Sequence, residues 1–289
     1  MRLVFHDQRP GLIDGDRVVD LTPLIKHPSA AARDSIRAVI GQWGAIRARL
    51  DAGAARHLPT QPFDPSLLGP PIPAPGKIVA APVNYHDHRE EMSVQHTVAE
   101  LGVFLKAPSS VIGPGGSILL PFPDRRTDQE AELAVVIGAT ARDVAADRAF
   151  EHIAGYTCLI DVTLRGTEER SMRKSFDTFT PIGPWLTMAD EIPNPDDLWL
   201  RCWVNGTLRQ EASTSALIYG VAQLIAYTSS IMTLEPGDIV TTGTPAGVGP
   251  LADGDRVCVE IDGLGRLDVG VGVADISPAP LNGEARAAV

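Results

Sequence analysis

The stretch DQEAELAVV, residues 128–136, sets two carboxylates at the mouth of an apolar run. Leu133 to Ile137 form a short uncharged segment closed by Gly138, a pattern that predicts a buried strand. Glu130 and Glu132 precede it with one residue between them, and side chains at i and i+2 of a strand point the same way. Adjacent carboxylates beside a core repel one another and lose hydration. Either both face water at the strand end, or a cation sits between them. A third acid bears on the choice. GYTCLID, residues 155–161, reads as an apolar strand ending at Asp161, and consecutive strands are commonly sheet neighbours. Three carboxylates without a nearby cysteine or histidine form a hard oxygen donor set, suited to Mg²⁺, Mn²⁺ or Ca²⁺ rather than zinc.

Three further segments carry candidate chemistry. In NYHDHREE, residues 84–91, His88 and Glu91 share a face if the segment is a helical turn. A carboxylate beside a histidine orients its ring, and such a pair can take a proton from water; the alternative is a solvated polar loop. His86 and His96 have no such pattern and read as surface residues. In RKSFDTFTPIGPWL, residues 173–186, Lys174 precedes Phe176, Phe179 and Pro181. A lysine held against apolar walls could neutralise an enolate or carboxylate, and the alternative is a surface lysine. In TTGTPAGVG, residues 241–249, backbone N–H groups and hydroxyls could face an anion; the alternative is a tight β-turn. The lysine of a phosphate-binding P-loop is missing there.

The elements around these segments are mostly short strands. KIVAAPV, LAVVIG, YTCLID, LWLRCWV, DIVTTG, RVCVEID and RLDVGVG are rich in β-branched residues. WVNGTLRQ signals a hairpin through Asn205-Gly206. SALIYGVAQLIAYTSSIM, residues 215–232, predicts one helix with Leu217, Ile218, Val221, Leu224, Ile225 and Met232 as its apolar face. Near the N-terminus, RLVF and GLIDGDRVVDL suggest a short β-meander turning at Asp14-Gly15. Residues 31–53 then predict a helix burying Ile36, Val39, Ile40, Trp43, Ile46 and Leu50, with Gly53 as its stop. The proline-rich stretch 58–76 predicts an extended connector, because proline donates to neither helix nor sheet. The tail from Ser277 is polar and predicts disorder. Few helices and no βαβ alternation argue against a Rossmann fold or a TIM barrel.

Composition narrows the function classes. The 289 residues carry a formal net charge of −11, without a basic cluster interleaved with aromatics, which disfavours a nucleic-acid partner. No apolar run is long enough to cross a bilayer, and the N-terminus lacks a signal-peptide core. Cys158, Cys202 and Cys258 are widely spaced among apolar residues and read as buried thiols of a reducing compartment, the cytoplasm.

Taken in order, NYHDH, FLKAPSSVIGPG, DQEAEL, GYTCLIDVT, KSFDTFTPIGP and GTPAGVG resemble the fumarylacetoacetate hydrolase family from about Lys77 to about Val273. The resemblance implies a mainly β, α+β chain. It has a mixed β-sandwich roll over residues 71–277, a small N-terminal α+β domain with connector over 1–70, and a flexible tail over 278–289. It implies that Glu130, Glu132 and Asp161 bind Mg²⁺ or Mn²⁺. His88, Glu91 and Lys174 become catalytic, and Tyr85, Lys106, Arg165, Glu168 and Thr244 substrate-binding. It also implies a homodimer that acts on a small 2-oxo acid. The activity implied first is hydrolysis of a C–C bond in a 2,4-dioxo acid. An oxaloacetate-type decarboxylase or a hydroxymuconate-type isomerase is the alternative on this scaffold, and a non-catalytic binder of metal and oxo acid a third. The sequence departs from the family pattern after Asp161. Gly166 stands where an aspartate is common, Glu168 where a glutamine often contacts substrate, and Arg173 where a glycine precedes the lysine. A glutamate beside a bound dioxo acid would repel it, so either the substrate offers a donor there or Glu168 turns away.

Overall fold

Leu133, Val135 and Ile137 pack into one hydrophobic cluster, while Ala134 and Val136 of the same Ala131–Ile137 strand pack into another. Period-two alternation thus works with apolar residues on both faces, because this strand lies in the middle of a sheet covered on both sides. The computed structural model describes residues 1–29 and 31–275; the polar tail expected to be disordered lies outside them. The Ala131–Ile137 strand pairs antiparallel with Ile153–Ile160 on one side and Ile239–Thr241 on the other. The large sheet has twelve strands, and a second sheet of five carries the Asn205-Gly206 hairpin. Both turn residues have positive φ, 52° and 77°, as the tight hairpin requires. Leu200, Cys202, Val204, Val257 and Val259 of the small sheet face Leu133, Val135 and Cys158 across the main core. The fold is the sheet-rich α+β sandwich that the resemblance implies. Cys158, Cys202 and Cys258 are free and buried, and burial pushes each thiol up, Cys258 to about 12.

The N-terminal segment packs Val4, Val18 and Leu68 into a small cluster of its own and also joins the large sheet. Arg2–His6 pairs with Thr180–Met188, so the meander continues the large sheet. Leu3, Ile36, Val39 and Ile40 share a cluster with Leu159, Ile182 and Leu186. The expected helix over 31–53 is two helices, Ser35–Gly41 and Trp43–Asp51, broken at Gln42. The Gln42 side chain is spent on the main chain of Lys26, accepting from its N–H and donating to its carbonyl. The proline-rich stretch is woven into the edge: Thr60–Pro62 pairs with Arg17–Asp20, and Leu68–Gly69 with Arg2–His6. Proline is compatible with such edge positions.

The helix expected over 215–232 starts later, at Val221, and runs to Ile231. Gly220 is extended, and Leu217 and Ile218 serve other ends: Leu217 bridges to Tyr85, and Ile218 donates its N–H to Asn84 O. No helix among the described residues is long and apolar enough to cross a membrane.

Candidate active site

Asn84 fixes the chain that carries the histidine. Its Nδ2 donates to Tyr219 O and Thr242 O, and its Oδ1 accepts from Tyr219 N, each at 2.9 Å. The short helix His86–Glu91 begins immediately after Tyr85. Within it His88 Nδ1 lies 2.9 Å from Glu91 Oε2, and Glu91 Oε1 accepts from Gly247 N at 3.0 Å. A carboxylate at Nδ1 requires the proton there, which leaves the lone pair of a neutral ring on Nε2. His88 is buried on the wall of a cavity of about 120 Å³.

Glu130, Glu132 and Asp161 line the same cavity, and one ligand oxygen of each lies within 4.8 Å of the others. All three are buried. Glu130 accepts from Arg165 at 2.9 Å and from Lys174 at 2.7 Å. Asp161 accepts from Lys174 at 2.7 Å and from Lys106 on its other oxygen. Glu132 accepts from Gly243 N at 3.1 Å and touches no lysine or arginine among the described residues. Burial opposes the charge of Glu130, but Lys174 and Arg165 outweigh it and hold this carboxyl well below its ordinary range. Burial and then Asp161 push Glu132 up to about 8. Burial also works against the Lys174 ammonium, which Asp161 and Glu130 hold above its ordinary value. The protein's own cations thus contact two of the three acids, and Glu132 alone has no base against it among the described residues. A hard, all-oxygen set with one buried carboxylate out of contact with any base fits a divalent cation such as Mg²⁺ or Mn²⁺.

The glycine-rich turn explains its own composition. Gly243 (φ 87°) donates to Glu132 and packs against Asn84 Cβ, and Gly247 (φ 98°) donates to Glu91. A Cβ on Gly247 would stand 1.9 Å from Arg209 O. Between them Thr244 reaches the cavity wall, and its hydroxyl donates to Ala131 O at 2.9 Å. One turn thereby positions an acid of the triad and the histidine's partner.

Thr244 and Arg165 of the expected substrate-binding set line the cavity; Tyr85, Lys106 and Glu168 do not. Lys106 lies wholly buried, bonded to Asp161, to Lys174 O at 2.6 Å and to Phe179 O at 3.1 Å. Burial lowers this ammonium while Asp161 draws it up. Its place is beneath Asp161, off the cavity wall. Tyr85 is fully buried at the base of the His88 helix. Glu168 turns away to Arg125, 2.8 Å distant, and Gly166 makes room: a Cβ there would lie 2.1 Å from Glu168 Oε2. The two departures after Asp161 are thus one local arrangement, which removes the like charge from the cavity.

Several residues at the site carried no signal in the sequence. Asp128 is fully buried between Arg126 and Arg165, each at 2.7 Å. Gln210 donates to Thr244 Oγ1 and Pro245 O and accepts from Ala131 N. It arrives from the distant hairpin, so no local spacing reveals it. Arg170 and Arg173 also stand on the cavity wall.

Residues 77–272 match the family model described as fumarylacetoacetate (FAA) hydrolase, C-terminal. The chain belongs to this family. Among fumarylacetoacetate hydrolase relatives, it is 40% identical over 284 residues to maleylpyruvate hydrolase of Aquipseudomonas alcaligenes, covering 92% of this chain and 97% of the relative. The crystal structure of maleylpyruvate hydrolase from Sphingobium sp. SYK-6, in complex with manganese(II) ion and pyruvate, superposes with a TM-score of 0.84. That match has 39% identity and covers 95% of this chain and 100% of the other. The 5-carboxymethyl-2-hydroxymuconate delta-isomerase of Mycobacterium smegmatis superposes with a TM-score of 0.73 at 32% identity, covering 95% of this chain and 100% of that one.

Proposed function

We propose that this protein is a divalent-metal-dependent hydrolase that cleaves the C3–C4 bond of a 2,4-dioxo acid, giving pyruvate or another 2-oxo acid and a carboxylic acid. The observation that carries the reading is the Glu91-held His88 on the wall of the cavity that holds the buried Glu130, Glu132 and Asp161. The manganese and pyruvate in the similar hydrolase support the same chemistry.

Glu130, Glu132 and Asp161 would hold the cation, Mg²⁺ or Mn²⁺. When bound, it supplies a Lewis acid and a template for the carboxylate and 2-oxo oxygens of the substrate. His88 Nε2 takes a proton from water as the water oxygen bonds to C4. Glu91 keeps the imidazole in the needed tautomer and stabilises the imidazolium that forms. The C3–C4 bond then breaks, its electron pair leaves on C3 as an enolate, and the proton returns to C3. Lys174, already charged between two carboxylates, sets positive charge beside that enolate. Arg165 holds Glu130 in place. Water consumed and acid released balance.

The isomerase among the similar structures supports a second reading, tautomerisation of an unsaturated 2-oxo acid on the same residues. Oxaloacetate decarboxylation uses the same enolate. Incubation with acylpyruvates and oxaloacetate, with Mn²⁺ or Mg²⁺ and after chelation, separates them. Metal-dependent pyruvate plus a free acid, without CO₂, is the expected result. CO₂ from oxaloacetate alone, or isomerisation without cleavage, would replace the hydrolase reading. No turnover with intact metal binding would leave a binder. The assignments of a homodimer and of the cytoplasm rest on the family resemblance and on the three unpaired buried thiols. Sedimentation checks the first, and fractionation of the source cells the second.

A further inference from the structure

Arg170 and Arg173 bracket the four-residue helix that leads into Lys174, and both stand on the cavity wall. Neither side chain makes an ion pair or hydrogen bond among the described residues, and Arg173 Nε is buried without any partner. A buried guanidinium nitrogen without an acceptor is costly unless a ligand satisfies it. Phe104 underlies the Arg170 guanidinium at 5.5 Å and keeps it at the wall.

The charges around these arginines point the same way. Glu130, Asp161 and Asp128 are tied to Lys106, Lys174, Arg165 and Arg126. With Glu132 included, four acids meet four bases, so the cluster is neutral before a cation enters. A divalent cation then gives the cavity two positive charges, and Arg170 and Arg173 add two more. The single carboxylate of a simple acylpyruvate leaves most of that charge unmet. Met92, Val94 and Phe104 supply an apolar wall in the same cavity, suited to a short carbon stem.

We infer that Arg173, with Arg170 beside it, is the seat for a second carboxylate, so that the substrate is a dianionic 2,4-dioxo acid whose 4-substituent ends in a carboxylate. This rests on the hydrolase reading only for which end of the substrate meets Glu130, Glu132 and Asp161. Arg173 is a specificity residue here: it binds the far end and takes no part in proton transfer.

Two non-cleavable ligands test the seat without turnover. Isothermal titration of the Mn²⁺-loaded protein with 2-oxoadipate and 2-oxohexanoate compares a terminal carboxylate with a methyl on the same length of carbon chain. The expected preference for 2-oxoadipate is roughly tenfold or more, as for one charge-assisted bond. Arg173→Gln should abolish most of it, and Arg173→Lys should retain a part. In steady-state kinetics the same Arg173→Gln variant should lower the ratio of kcat/KM for maleylpyruvate over acetylpyruvate by a similar factor. Equal affinity of the wild-type protein for both ligands overturns the inference without any variant. So does a preference that survives in Arg173→Gln, or an equal loss for both substrates. If Arg173 governs the preference but neither dioxo acid is cleaved, the hydrolase reading fails while the anion seat stands. If both dioxo acids are cleaved with no preference between them, the anion seat fails while the hydrolase reading stands.

Discussion

Lys106→Met tests whether this lysine acts through Asp161 or on the substrate. The change keeps the stem and removes a buried ammonium that serves Asp161, Lys174 O and Phe179 O. Breaking a buried ion pair costs about 3–5 kcal/mol, because the remaining charge stays buried. Two backbone carbonyls also lose their donor, although Lys174 still donates to Asp161 at 2.7 Å. That second partner favours the lower end of the range. Unfolding entropy of roughly 2 cal/mol/K per residue gives a chain of this length about 0.6 kcal/mol/K at its midpoint. Metal-free Lys106→Met should therefore melt about 5–8 °C below the wild type. Differential scanning calorimetry on chelated protein measures this. Asp161→Asn in the same chain should restore part of the loss, since the neutral amide no longer needs two cations, and the double-mutant cycle gives the coupling. An unchanged midpoint together with a raised KM would refute the reasoning and return Lys106 to the substrate.

Four other outcomes follow from the site. His88→Ala should lower kcat by roughly 10²- to 10⁴-fold while Mn²⁺ binding, read by calorimetry, is retained; loss of the metal would contradict its assigned role. Chelation should abolish turnover and lower the melting midpoint, and Mn²⁺ should restore both, since binding only the folded state stabilises it. Asn84→Ala strands Tyr219 O, Thr242 O and Tyr219 N, each worth about 1–3 kcal/mol if left buried and unmet; stability to denaturant and kcat should fall together. Glu168→Gln should leave substrate preference unaltered and shift stability by under about 1 kcal/mol, since its pair with Arg125 is part-exposed; a changed preference across an acylpyruvate panel would put Glu168 back in the cavity.

By itself the sequence marked out the candidate chemistry-bearing residues and the local elements that carry them. Glu130 and Glu132 announce themselves because charge at the edge of an apolar run is costly, and His88 and Glu91 because three residues make nearly one helical turn. Short apolar runs rich in β-branched residues located the strands, and Asn205-Gly206 the hairpin, because backbone sterics act over a few residues. Only the tertiary structure decided what meets what. Lys106 lies beneath Asp161, Gln210 crosses from another sheet to Thr244, and Glu168 folds back on Arg125. The meander extends the main sheet, because Arg2–His6 pairs with Thr180–Met188. These are contacts between residues far apart in the chain. Their energies come from burial and charge compensation, which depend on the full three-dimensional surroundings and leave no periodic trace in the sequence.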